Sequence, residues 1–196
     1  MIIRKTFKTE GPAHIVRNCT TDRCSKSIHG HSYEWEVKLK GSSLDNGGMI
    51  VDFGILKGEI GKFFDMFDHC HIIWDQDSDI EHFWNYSDRV IKAPFSPSAE
   101  NMAVFAFMVC DRILRHTAFA NGEHGVEVHS VTCHETKTGY AEAFADDVEM
   151  HNYYNLEEVQ FKHDEGLWEA LMYKLVTFVK DQIPVQVVDT RKERNE

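Results

Sequence analysis

The strongest constraint on this chain lies between His29 and Leu39. Over that run His29, His31, Tyr33, Trp35, Val37 and Leu39 fall on one side of a period of two, and Glu34, Glu36, Lys38 and Lys40 fall on the other. A period of two sustained over eleven residues predicts a half-buried strand with one apolar and one charged face. A chain containing such a strand needs a sheet, and needs something apolar to cover one side of it.

The rest of the sequence supplies both. Residues 2–9 read as a first strand, ended by Gly11-Pro12. Gly41 to Gly48 reads as a polar loop, and Met49-Ile50-Val51 as a short strand. Asp52 is placed to cap a helix on which Leu56, Ile60, Phe63, Phe64 and Phe67 recur at helical spacing. Residues 75–95 show no steady period and read as an inserted loop. Pro97-Ser98 opens a second helix over 99–114, with Ser98 as N-cap and apolar residues on most sides. Asn121-Gly122 marks a turn, and 126–135 and 139–145 read as a hairpin. The expected architecture is an α+β domain with helices on one face of an antiparallel sheet.

After about residue 146 the pattern changes. Residues 165–182 read as a helix with Leu167, Leu171, Leu175 and Phe178 on one stripe, stopped by Pro184 and followed by a disordered RKERNE tail. The sequence therefore divides into a domain at 1–146 and a C-terminal extension at 147–196.

Charge and composition narrow the function. A net charge of −11 disfavours nucleic acid, which wants a basic face. No apolar run is long enough to span a bilayer, and MIIRKTFKTEG lacks the apolar core of a secretory signal, so a cytoplasmic protein is expected. Five cysteines, an odd number, fit reduced thiols rather than a disulfide framework.

Twelve histidines is a high count, and two of them carry the chemistry. His29 and His31, at i and i+2 on a strand, point the same way, and Gly30 leaves the opposite face bare. Both lie on the apolar side, where an imidazole needs a partner to offset burial. His14, from a neighbouring strand, could supply a third nitrogen. Three neutral imidazoles with one open position describe a catalytic zinc site. The competing arrangement is a closed site of Cys19, Cys24, His29 and His31. Its histidine gap is shorter than that of zinc fingers, no recognition helix follows, and the acidic charge removes the nucleic-acid rationale. Taken singly, Asp68-His69, Glu135-Thr136 and Pro97-Ser98-Ala99-Glu100-Asn101 are ordinary surface or helix-start sequences.

Taken together and in order, these segments resemble the 6-pyruvoyltetrahydropterin synthase family, which includes 6-carboxytetrahydropterin synthases of queuosine biosynthesis. The resemblance spans about residues 3–145 and rests on His14, Cys24 ahead of HGHSY at 29–33, GMIVDF at 48–53, FDHCHI at 67–72, PSAEN at 97–101 and HET at 134–136. It implies the tunnelling fold (T-fold), a four-stranded antiparallel sheet with two helices on one face. It also implies trimers or stacked trimers as a hexamer, with active sites at subunit interfaces. By motif, His14, His29 and His31 resemble the zinc ligands and Cys24 the catalytic thiol, with Cys19 a poor second. Asp68 and His69 resemble its proton-handling partners, and Glu135, helped by Glu100, the pterin anchor. Two departures stand out. Glu10, Gly11 and Pro12 stand ahead of Ala13-His14 where the family usually shows Phe-x-Ala before Ala-His, and four residues separate Cys24 from His29.

The implied substrate is 7,8-dihydroneopterin triphosphate. The implied product is 6-carboxy-5,6,7,8-tetrahydropterin, or alternatively 6-pyruvoyltetrahydropterin by elimination of triphosphate. A folate-pathway branch usually carries a glutamate near the catalytic cysteine, and none is found here. A non-catalytic pterin- or zinc-binding module would have no need of the cysteine, aspartate and histidine set.

Overall fold

The computed structural model describes residues 1–150 and 155–172. In chain order it contains β1 (Ile2–Thr9), β2 (Ala13–His14), α1 (Asp22–Lys26), β3 (His29–Gly30), β4 (Tyr33–Lys40), α2 (Phe53–Leu56), α3 (Glu59–Asp65) and β5 (His71–Trp74). There follow α4 (Ile80–Tyr86), β6 (Val90–Ala93), α5 (Ala99–Arg115), β7 (Glu127–His134), β8 (Tyr140–Ala143), α6 (Ala145–Met150), a short 3-10 turn at Leu156–Glu158 and β9 (Gln160–Phe161).

The main sheet runs β1-β4-β7-β8, every pair antiparallel. β4 lies inside it and keeps the alternation of its sequence. Tyr33, Trp35, Val37 and Leu39 are buried, and α3 and α5 cover that side, with Trp35 centred 5.1 Å from Phe64 and 5.2 Å from Phe67. Burying each such side chain stabilises by roughly 1.5–3 kcal/mol. The opposite side is a ladder of charge: Arg4 bonds Glu36 at 2.8 Å, and Glu142 accepts from Lys38 at 2.7 Å and from Ser130 at 2.6 Å. α5 begins as expected, with Ser98 Oγ accepting from the Asn101 amide. This is the four-stranded antiparallel sheet with helices on one face that the resemblance implied.

A second sheet, β3-β2-β5-β6-β9, was not legible in the sequence. β2, β3 and β9 are two residues each, too short to show a period. The expected strand from His29 to Leu39 is consequently split: His29–Gly30 belongs to this second sheet and Tyr33–Lys40 to the first. Gly30 sits where a Cβ would come within 3.1 Å of the Pro12 carbonyl, which also accepts from the His31 amide. That close approach turns the chain from one sheet into the other.

Three further expectations are corrected. Met49-Ile50-Val51 is not a strand, because Asp45 Oδ1 takes the Gly47 and Met49 amides and folds the segment into a turn. The helix that Asp52 caps, through a 2.6 Å bond from the Gly54 amide, stops after Leu56 and restarts at Glu59. Gly58 leaves helical geometry there, with ψ at −113°. The 75–95 segment is no loop: it contains α4 and β6, and Val90, Ile91 and Ala93 are buried beside β5.

β9 pairs with β6, and Leu156, Val159, Phe161, Trp168, Leu171 and Met172 join the same core as Trp35 and Phe105. Residues 165–172 are helical. Leu175, Phe178 and the RKERNE tail lie outside the described residues. Among the described residues, no helix is long and apolar enough to cross a membrane.

Candidate metal centre

The small sheet brings the two histidine segments together. β2 and β3 pair antiparallel with His14 directly opposite His29, and His31 follows one residue after β3 ends. The three rings gather at centroid separations of 4.5 Å (His14–His29), 5.2 Å (His14–His31) and 5.2 Å (His29–His31). One nitrogen from each lies within 4.8 Å of the others. Among the described residues this is the one such group of three possible ligands, and neither Cys19 nor Cys24 joins it.

The outer nitrogens of two rings are held by backbone. His14 Nδ1 donates to Pro97 O at 2.7 Å, and His29 Nδ1 donates to Ser27 O at 3.0 Å. Burial lowers the His14 pKa to about 4, so the ring is neutral at neutral pH. A neutral ring that donates from Nδ1 presents a bare lone pair at Nε2. The Nε2 atoms of His14 and His29 face each other at 3.1 Å, and His31 Nε2 is buried without a hydrogen-bond partner. Ring nitrogens this close need a proton or a cation between them, and a cation is the partner that can also serve the unpaired His31 Nε2. The residues therefore fit a bound metal. Burial also lowers the His31 pKa, opposed by the negative charge of Glu135.

Glu135, just past β7, places Oε1 3.6 Å from both His14 Nε2 and His31 Nε2. A cavity of about 400 Å³ opens beside the cluster, lined by Arg23, Cys24, Ser27, His29, His31 and Glu135. Cys24, on α1, is half-buried. The structure thus gathers Cys24, His29, His31 and Glu135 around one space, with His14 fully buried behind them.

Asp68 and His69 lie outside that lining. They form a turn after α3 in which His69 Nδ1 donates to Asp68 Oδ2 at 2.6 Å. The Glu10 amide bonds Asp68 Oδ1, and the His69 amide bonds the Glu10 carbonyl. The Glu10 amide, with help from His69 and Arg89, holds the Asp68 carboxyl below its ordinary range. His69 has φ of +51°, an uncommon conformation for a residue with a Cβ. Its side chain is 71% exposed. Glu100, in the first turn of α5, is exposed and outside the cavity too. Burial pushes the Cys133 thiol well up, reinforced by Glu135 and Glu100, so both carboxylates act on one buried sulfur.

The groups that fix the ligands are not legible in the sequence. Pro97 O and Ser27 O are backbone atoms and carry no side-chain signal. Tyr33, whose hydroxyl lies 3.2 Å from His14 Nδ1, was visible only as an apolar-face residue.

The family described as 6-pyruvoyl tetrahydropterin synthase matches residues 3–146. The 6-carboxy-5,6,7,8-tetrahydropterin synthase of Helicobacter pylori (strain J99) is 40% identical over 158 residues, covering 80% of this chain and 78% of that protein. A putative 6-pyruvoyl tetrahydrobiopterin synthase of Caenorhabditis elegans is 36% identical over 89 residues, covering 45% of this chain and 54% of that protein. Among solved structures, an uncharacterized protein from Wolinella succinogenes shares the fold with a TM-score of 0.60 at 22% identity, covering 74% of this chain and 98% of that one.

Proposed function

The chain belongs to the 6-pyruvoyl tetrahydropterin synthase family, and on that premise we propose that it is a zinc-dependent lyase. Its substrates are 7,8-dihydroneopterin triphosphate and one water, and its products 6-carboxy-5,6,7,8-tetrahydropterin, triphosphate and acetaldehyde. The observation that carries this reading is the convergence of three imidazole nitrogens beside Cys24 and Glu135 at one cavity. The relative named for the 6-carboxy product aligns over four fifths of the chain, the one named for the 6-pyruvoyl product over less than half.

His14, His29 and His31 hold the zinc, which would polarise the oxygens of a bound substrate and make its hydroxyl-bearing carbons easier to deprotonate. Cys24 takes the proton from the substrate side chain. His69, oriented by Asp68 through Nδ1, keeps its Nε2 free to shuttle protons. Glu135 accepts paired hydrogen bonds from the amino and ring N–H groups of the pterin, helped by Glu100. The Asp68–His69 pair is exposed and outside its own subunit's cavity, which supports a trimer or hexamer in which sites form between subunits. We assign the chemistry to residues 1–146 and treat 147–196 as an extension, in a cytoplasmic protein without nucleic-acid or membrane partners.

Incubating the purified protein with 7,8-dihydroneopterin triphosphate and weighing the product tests this. 6-Carboxytetrahydropterin with acetaldehyde is expected. A 6-pyruvoyl product would move the protein to the biopterin reaction, and no turnover of either kind would overturn the proposal.

A further inference from the structure

α1 carries Cys24 and is five residues long, with no buried side chain. A single turn of helix is not stable alone, so the thiol is positioned by whatever holds this turn from outside. Among the described residues, two bonds from outside reach the backbone of α1 itself, at the carbonyls of Cys24 and Ser25, while its caps at Thr21 and Ser27 are bonded by Cys19 and His29. The Val16 amide donates to Cys24 O at 2.9 Å, and Arg17 Nη1 donates to Ser25 O at 3.2 Å. Carbonyls at a helix C-terminus lack partners within the helix and favour a cation.

Arg17 is itself fixed by the segment after β5. Its Nε donates to Asp77 Oδ2 at 2.8 Å, its Nη2 to Asp77 Oδ1 at 3.2 Å and to Asp79 Oδ2 at 2.8 Å. Asp77 is 5% exposed, and its Oδ1 also accepts the Asp79 amide just before α4. A bidentate guanidinium–carboxylate pair fixes orientation as well as distance. The same guanidinium thus grips the buried Asp77 on one side and the Cys24 turn on the other.

We propose that Arg17 and Asp77 are positioning residues for Cys24, and that the 75–79 segment, which the sequence left without a role, exists to hold the thiol turn against the body of the protein. The proposal rests on the reading of Cys24 as the reacting thiol. Neither residue touches the cavity, so their effect passes through the backbone of α1. Replacing the carboxylate by an amide removes the charge and one acceptor from the pair while keeping the shape, and freeing α1 lets Cys24 leave its half-buried position.

The test compares Asp77→Asn, Arg17→Lys and Arg17→Ala with the full-length wild-type protein. The first readout is the alkylation rate of Cys24 by iodoacetamide, followed by peptide mass so that Cys19 is scored separately. It should rise several-fold in Asp77→Asn and Arg17→Ala and less in Arg17→Lys, which keeps the cation. The second is turnover. Misplacing a reacting group by about 1 Å costs about 10²-fold, so kcat should fall by that order with KM and metal content unchanged. Unchanged Cys24 alkylation in folded Asp77→Asn and Arg17→Ala would overturn the proposal, and so would unchanged kcat in variants that merely melt lower. If the wild type turns over no pterin, the functional reading fails, while the alkylation arm still decides whether Arg17 and Asp77 hold the thiol turn.

Discussion

His14 and His29 face each other through Nε2 atoms 3.1 Å apart while their Nδ1 atoms are bound to the carbonyls of Pro97 and Ser27. The backbone therefore orients both rings so that their Nε2 atoms turn inward, toward the place where a metal could sit. A site organised in this way loses little conformational freedom when a metal enters.

His29→Ala or His31→Ala should each remove most bound metal, since two ligands hold a catalytic zinc poorly. Elemental analysis of purified variants measures this. About one zinc per subunit is expected in the wild type, and full occupancy in both variants would show that the ion is held elsewhere.

Cys24→Ala should keep fold and metal yet lose roughly 10²–10⁴ in rate, the usual contribution of a positioned proton-transfer group. The Cys19 thiol instead donates to Thr21 O at 3.3 Å. An active Cys24→Ala beside a dead Cys19→Ala would assign the role to the other thiol.

Glu135→Gln should raise KM and leave metal content alone. The amide offers a donor where the pterin needs a second acceptor. Steady-state kinetics at fixed metal occupancy reads the effect, and unchanged KM and kcat would remove Glu135 from the substrate site.

The metal-free protein should be less stable in mild acid. His14 has its pKa lowered to about 4, and burial lowers those of His31, His71 and His163 as well. The unfolded chain then binds more protons than the folded one below the ordinary histidine value of about 6.5, so stability falls as pH drops from there toward about 4. His14 alone accounts for about 2 kcal/mol between about pH 7 and pH 5. Melting of metal-stripped protein across that range checks this; a flat melting temperature would contradict it.

Phe161→Ala should destabilise the protein as a core truncation does, by about 3–5 kcal/mol. Phe161 is 2% exposed and centred 4.8 Å from Trp168. Denaturant unfolding compared with Phe63→Ala measures the difference. A loss well under 1 kcal/mol would mean that residues 156–172 are a detachable addition to the core.

Much of this was legible in the chain itself. The period-two run identified the central strand over Tyr33–Lys40, because burial on one face selects residues one at a time along the backbone, but it carried that strand back to His29, where the chain belongs to the second sheet. The caps at Asp52 and Ser98 could be read because a capping side chain lies within three residues of the amide it serves. The segment motifs pointed to the family, and His14, His29 and His31 could be named as a possible ligand set from residue type and strand spacing.

What local pattern does not encode is pairing between distant short segments. β2, β5, β6 and β9 become strands only beside one another, and two to four residues show no period by themselves. The ring orientations of His14 and His29 depend on backbone carbonyls, one of them 83 residues away in sequence. The link from Asp77 through Arg17 to the Cys24 turn joins segments about 60 residues apart. The sequence by itself determined which residues are apolar, which can ligate and which can cap. The tertiary structure decided which nitrogens face inward and what holds the thiol, because those depend on distances between atoms that only the folded chain brings together.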